Sequence, residues 1–143
     1  MSNSEYKPAR LFTIEEANAM LPLVKAITAD LAHLSQQVIE RRQRLAQMLR
    51  GRTPEAGDVY AEELAHVKDA LEKDTDQLRE YVRELEELGV EPKSGPEGLV
   101  DFPAMLDGRI VYLCWKLGEP EVLHWHELDA GFAGRQSLAA ASL

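Results

Sequence analysis

Two histidines stand two residues apart near the end of the chain, in His124-Trp125-His126. Alternate residues of a β-strand point to one face, so a strand here would let both imidazoles reach one metal ion. Glu127 and Asp129 follow directly and could add a carboxylate. These four residues form a candidate site for a divalent transition metal such as zinc, and an open position would make it catalytic. The alternative is that both histidines are structural or lie at a subunit contact.

A glycine-containing loop follows the histidines and could hold a small anion. Gly131 and Gly134 permit unusual backbone angles, and Arg135 could present a guanidinium beside backbone amides. The spacing is not that of a nucleotide-binding fingerprint. Asp101 and Trp115 are further candidate ligand-binding residues. The alternatives are that Arg135 pairs with an aspartate such as Asp101 to fix the loop, and that Trp115 packs in the core.

The single cysteine, Cys114, excludes an intramolecular disulfide and a multi-cysteine zinc site. It could add a thiolate to the metal site if the strands align. As a nucleophile it would need a nearby base such as His126. The simplest interpretation is a small buried apolar side chain.

Residues 90–136 must position these side chains, and their composition predicts a small antiparallel sheet. Residues 109–117 are rich in β-branched and aromatic types and read as a strand, with residues 121–126 as its partner. Residues 98–102 are a possible third strand, joined to the first by a turn at Asp107-Gly108.

The first part of the chain, residues 11–89, predicts a hairpin of two long helices. Apolar residues recur at a heptad-like spacing over 14–50 and again over 60–88, with a turn at 51–58 between them. Thr13 and Glu16 fit a capping box at the first helix start.

Two further residues qualify this helical pattern. Pro22 lies inside the first helix, where it removes an amide and clashes with the preceding turn, so we expect a kink or a short first turn. Gly89 fits the position after the end of the second helix.

The expected fold is therefore α+β in one domain, 1–143: a long antiparallel two-helix hairpin followed by an antiparallel sheet of two to three strands. We expect flexible ends at 1–10 and 137–143. Because two helices share one seam, another layer is needed, and we expect a homodimer.

The bulk composition excludes several classes of partner. The chain has 143 residues and a formal net charge of −9, which disfavours nucleic acid and anionic lipid. There is no apolar run long enough to span a membrane and no apolar signal-peptide core, so a cytoplasmic location is expected.

Stretches at both ends of the chain resemble one known family. They are residues 12–22 (Phe-Thr-Ile-Glu-Glu-Ala-Asn-Ala-Met-Leu-Pro), 98–104, 108–121 and 125–136. The likeness is to DUF2203, a prokaryotic family of uncharacterised proteins. The resemblance implies no activity, but it marks these motif positions: Asp101, Trp115, Glu119, His126, Glu127, Asp129 and Arg135.

Three functions follow as hypotheses. The leading one is a non-enzymatic interaction or scaffold protein that dimerises through its helices, because no complete catalytic set is recognisable. The second is a metal-binding protein or metal-dependent enzyme using His126, Glu127 and Asp129, with or without His124. The third is an anionic-ligand sensor built on the loop that ends at Arg135.

Overall fold

The chain folds as two long helices followed by a five-stranded antiparallel sheet, in a computed structural model that describes residues 5–50 and 58–141. The elements are α1 (Ile14–Leu49), α2 (Val59–Glu87), β1 (Glu91–Ser94), β2 (Leu99–Leu106), β3 (Arg109–Lys116), β4 (His124–His126), a 3-10 turn (Phe132–Gly134), β5 (Gln136–Ser137) and α3 (Leu138–Ala141). The predicted α+β class is confirmed. The sheet has more strands than the two to three expected, because short β1 and β5 add an edge on each side.

Helix α1 begins with the predicted capping box. The Thr13 hydroxyl accepts the Glu16 amide, and the Glu16 carboxylate accepts the Thr13 amide. The helix continues through Pro22 to Leu49 as one element, so no short first turn precedes it. Because Pro22 lacks an amide, it cannot bond to the carbonyl of Asn18, four residues earlier.

Helix α2 has a cap at each end. Asp58 accepts the amide of Tyr60, while the remainder of the predicted 51–58 turn lies outside the described residues. At the other end, the amide of Gly89 bonds to the carbonyl of Glu86 and that of Val90 to Leu85. This is the double hydrogen bond of a Schellman motif, and it confirms Gly89 as the residue after the helix.

The two helices run antiparallel, as ion pairs across the hairpin indicate. Arg41 pairs with Asp74, and Arg44, further along α1, pairs with the earlier residue Glu63. The β-sheet of the same chain packs against the hairpin and supplies the additional layer that its length requires.

The sheet order is β1-β2-β3-β4-β5, with each strand antiparallel to its neighbours. Asp107 and Gly108 join β2 to β3 with positive φ at both residues (52° and 77°). That is the two-residue turn whose twist matches a β-hairpin. It sets the register in which Asp101 lies opposite Cys114.

Alternation along the strands separates a helix-facing side from an outer side of the sheet. The helix-facing side chains belong to the main core, which includes Val100, Phe102, Ala104, Val111, Leu113, Trp115 and Trp125. The intervening residues, including Asp101, Cys114 and His126, lie on the outer side. Charged and polar groups are thus buried on the face away from the helices.

Residues near both ends of the described range contact the rest of the fold. Tyr6 donates a hydrogen bond to Glu91. Ser137 lies in β5, and Leu138 is buried in the core.

Within residues 5–50 and 58–141, neither long helix is apolar enough over its length to cross a membrane.

Candidate functional site

Three strands bring a carboxylate, a thiol and an imidazole together on the outer face of the sheet. Asp101 comes from β2, Cys114 from β3 and His126 from β4, and all three are buried. One ligand atom from each lies within 4.8 Å of the other two. Among the described residues, this is the one group of three such side chains close enough to share a metal ion.

Both ring nitrogens of His126 face acceptor oxygens. Nε2 lies 3.0 Å from the Asp101 carboxylate, and Nδ1 lies 2.7 Å from the carbonyl oxygen of Glu127. A carbonyl oxygen can only accept, so Nδ1 carries a proton. Burial lowers the pKa of His126, but hydrogen bonds to Asp101, Cys114 and the Glu127 carbonyl outweigh it and raise the pKa to about 10.

The cluster forms the floor of a cavity of about 310 Å³. Its walls come from the β1–β2 region, the sheet and the segment after β4; they are Lys93, Ser94, Glu97, Leu99, Tyr112, Leu128, Gly131 and Phe132. This volume lies within the range of small-molecule sites, and a few polar groups converge on its floor.

One wall is fixed by a network around Glu91. Its carboxylate accepts hydrogen bonds from the hydroxyls of Tyr6 and Tyr112 and from the Lys93 ammonium. Burial raises the pKa of Glu91, but these three donors outweigh it and lower the pKa below its ordinary value. The Tyr112 ring packs 5.5 Å from the His126 ring, so the network supports the imidazole from the side.

Arg135 supports Phe132, which lines the same cavity. Its guanidinium donates two 2.8 Å hydrogen bonds to Glu119 and one of 3.3 Å to the carbonyl oxygen of Cys114. Burial lowers the pKa of Arg135, but Glu119 and the nearby anionic groups outweigh it and raise the pKa. The Phe132 ring lies on this guanidinium, 4.5 Å away.

Of the four predicted metal ligands, the structure brings His126 into the cluster. His124 lies on the same face, but its Nδ1 faces Glu119 at 3.8 Å. The Glu127 side chain pairs with Arg109, and Asp129 is exposed. The side chains close to His126 that could share a metal ion with it are instead Asp101 and Cys114.

The predicted ligand-binding residues are also dispersed. Asp101 and Gly131 line the cavity, and Gly131 has a φ of 65°, which a residue with a side chain rarely adopts. Arg135 forms its ion pair with Glu119 and not with an aspartate such as Asp101, the partner considered from the sequence. Trp115 is fully buried among core residues, and its indole donates to the Glu119 carbonyl.

The sequence contains a signal for part of this cluster. A two-residue turn at Asp107-Gly108 places Leu106 opposite Arg109, and counting back puts Asp101 opposite Cys114. The connection to β4 is seven residues long and gives no such register. The Glu91 network was not predicted, because Tyr6, Glu91 and Tyr112 are far apart in sequence and have no common motif.

The fold and the site together define a class of protein: a small α+β protein whose sheet holds an Asp-Cys-His cluster at the floor of a cavity. The chain belongs to the family described as Uncharacterized conserved protein (DUF2203), whose family model matches residues 10–138. Searches of curated proteins and of solved structures gave no significant match.

Proposed function

We propose that this protein is a metal-dependent enzyme that holds a divalent transition metal, zinc by preference, between Asp101, Cys114 and His126. One observation carries the proposal: three buried donors from three strands converge within 4.8 Å at the floor of a cavity. Three protein ligands with a fourth position open toward a cavity is the arrangement of catalytic zinc sites.

The donor types and distances suit zinc. Thiolate and imidazole ligands favour zinc over magnesium or calcium. Tetrahedral zinc with bonds of about 2.0–2.1 Å to nitrogen and oxygen separates those two atoms by about 3.3 Å. The His126 Nε2 and the Asp101 carboxylate are 3.0 Å apart, so a small movement would admit the ion.

The outer contacts of His126 also support a ligand role. Metal-binding histidines commonly donate the second ring N–H to a backbone carbonyl, which fixes the ring and its tautomer. His126 makes this contact with the Glu127 carbonyl at 2.7 Å. Its Nε2 is then the atom directed toward Asp101 and available to a metal in place of a proton.

A purely structural role for the cluster is less favourable. A buried ion pair costs desolvation energy that well-packed apolar residues of similar volume would avoid. The pair between His126 and Asp101 lies at a cavity, with only 3 % of each side chain exposed, rather than in the apolar helix-facing core. A bound ion would satisfy these groups and polarise a substrate or activate water beside it.

The test is metal analysis of untagged protein together with cobalt absorption spectroscopy. We expect about one zinc per chain, and a thiolate-to-cobalt charge-transfer band after exchange. Cys114→Ser should remove that band, and Asp101→Asn should weaken metal binding. His124→Gln is the matched control, because His124 lies on the same strand face outside the cluster and should leave stoichiometry unchanged. Absence of stoichiometric metal in the unmodified protein, or an unchanged band in Cys114→Ser, refutes the proposal.

A second candidate, self-association as a scaffold, is supported by the far end of the hairpin. Gln36 bonds to Pro96 in the β1–β2 turn, and α1 continues for 13 residues beyond it, about 20 Å. Among the described residues of this part of the hairpin, the large exposed apolar side chains are Ile39, Leu49 and Val59.

The occupant proposed for this surface is a second copy of the chain. Residues 37–50 carry four arginines and one glutamate, whereas residues 59–76 carry six acidic residues and two lysines. Arg41 and Arg44 pair with acidic residues of their own chain, whereas Arg42 and Arg50 are exposed. A two-fold axis could place these two exposed arginines beside the acidic segment of the other copy. Sedimentation velocity should then give twice the 16.0 kDa chain mass. Val59→Glu should reduce it, and Leu23→Glu, an exposed leucine elsewhere on α1, should not; a monomer at all concentrations refutes this candidate.

A further inference from the structure

We infer that the ligand of the cavity carries an aromatic group, which packs on Phe132 beside the group that binds the metal. This inference rests on the proposed metal site. Phe132 is a large apolar side chain, 39 % exposed, that lines the same cavity as Asp101, Cys114 and His126. An aromatic ring exposed at the wall of a site is available for stacking against a ligand.

The Phe132 ring is held in place rather than free. The Arg135 guanidinium covers it at 4.5 Å, and the Lys116 ammonium lies 5.4 Å from its centre. Arg135 is itself fixed by Glu119 and by the Cys114 carbonyl. A ligand that packs on a preorganised ring does not have to order it, so more of the contact energy is retained as affinity.

The cavity has other apolar lining residues besides Phe132, and its volume is sufficient for a ring. Leu99 and Leu128 line the same cavity, and Leu99 is buried. A cavity of about 150 Å³ lined by apolar side chains binds benzene. The 310 Å³ here therefore accommodates an aromatic ring together with a small metal-binding head group.

The experiment compares two metal-binding probes that differ in their apolar group. The full-length protein is loaded with cobalt and titrated with acetohydroxamate and with benzohydroxamate, following the cobalt absorption bands. We expect benzohydroxamate to bind at least about tenfold more tightly, from burial of its ring. Phe132→Ala should remove most of that preference, and Phe132→Leu, which keeps an apolar wall, should retain part of it.

The outcomes separate this inference from the metal proposal. A protein that binds no cobalt refutes both. A cobalt-loaded protein that binds the two probes equally, or whose full preference survives in Phe132→Ala, refutes the aromatic inference and leaves the metal site standing. Met105→Ala is the matched control: Met105 is an exposed apolar residue of β2 outside the cavity lining, and its truncation should not change the ratio of the two affinities.

Discussion

Replacing Asp101 by asparagine should destabilise the metal-free protein by up to about 4 kcal/mol at pH 7. The imidazolium of His126 depends on this carboxylate, and only 3 % of each side chain is exposed. Burial lowers the pKa of His126, but hydrogen bonds to Asp101, Cys114 and the Glu127 carbonyl and the charge of Asp101 raise it to about 10. At about 1.4 kcal/mol for each unit above pH 7, loss of the whole shift sets an upper limit of about 4 kcal/mol for removing Asp101. Loss of one partner of a buried ion pair independently suggests about 3–5 kcal/mol.

The effect of Asp101→Asn should depend on pH in a defined direction. Because folding raises the pKa of His126 from 6.5 to about 10, its stabilising contribution is complete below pH 6.5 and is lost as the pH rises through about 10. The free-energy difference between the protein and the variant should therefore be largest near pH 6 and shrink toward pH 10.

Urea unfolding of chelator-treated samples, followed by circular dichroism, measures these differences. The double variant with His126→Gln should cost much less than the sum of the two single changes, because the pair is coupled. Glu127→Gln, which removes a more exposed ion pair with Arg109, should cost less than about 1 kcal/mol. A cost below about 1 kcal/mol for Asp101→Asn, or one that does not vary with pH, would contradict the reasoning.

Two further predictions concern the supports of the site, and a third concerns the cap of α1. Glu91→Gln should lower the free energy of unfolding by roughly 1 kcal/mol at neutral pH. Because folding lowers the pKa of Glu91, the difference from the unmodified protein should shrink as the pH falls below 4.5, which thermal unfolding at several pH values measures. Arg135→Gln should weaken cobalt binding by about 10–100-fold, because Arg135 holds the Cys114 carbonyl in place. Arg109→Gln, which breaks the ion pair between Arg109 and Glu127, should change the measured Kd little. Thr13→Ala should lower the free energy of unfolding, measured in urea, by about 1 kcal/mol, because the cap of α1 is lost. An unchanged free energy of unfolding would mean that the capping box contributes little to stability.

Local sequence patterns predicted the elements because each pattern reflects a local interaction. The capping box at Thr13 and the residue after α2 at Gly89 are hydrogen-bond arrangements within a few residues. The Asp107-Gly108 turn likewise follows from backbone conformations that these two residues tolerate. The two helices and the β2–β3 hairpin could therefore be predicted, whereas the two-residue β5 had too little pattern to detect.

The sequence by itself determined which segments form helices and strands, and how the residues of β2 and β3 are paired. It also showed that the residues able to bind a metal or a ligand lie mainly after β1. Only the tertiary structure decided which of those residues meet. His124 and His126 share a strand face, yet His126 joins Asp101 and Cys114 while His124 faces Glu119. The reason is physical: side-chain partners across a sheet depend on strand order and on the covering segment, and both are set by long-range packing rather than by neighbours in sequence.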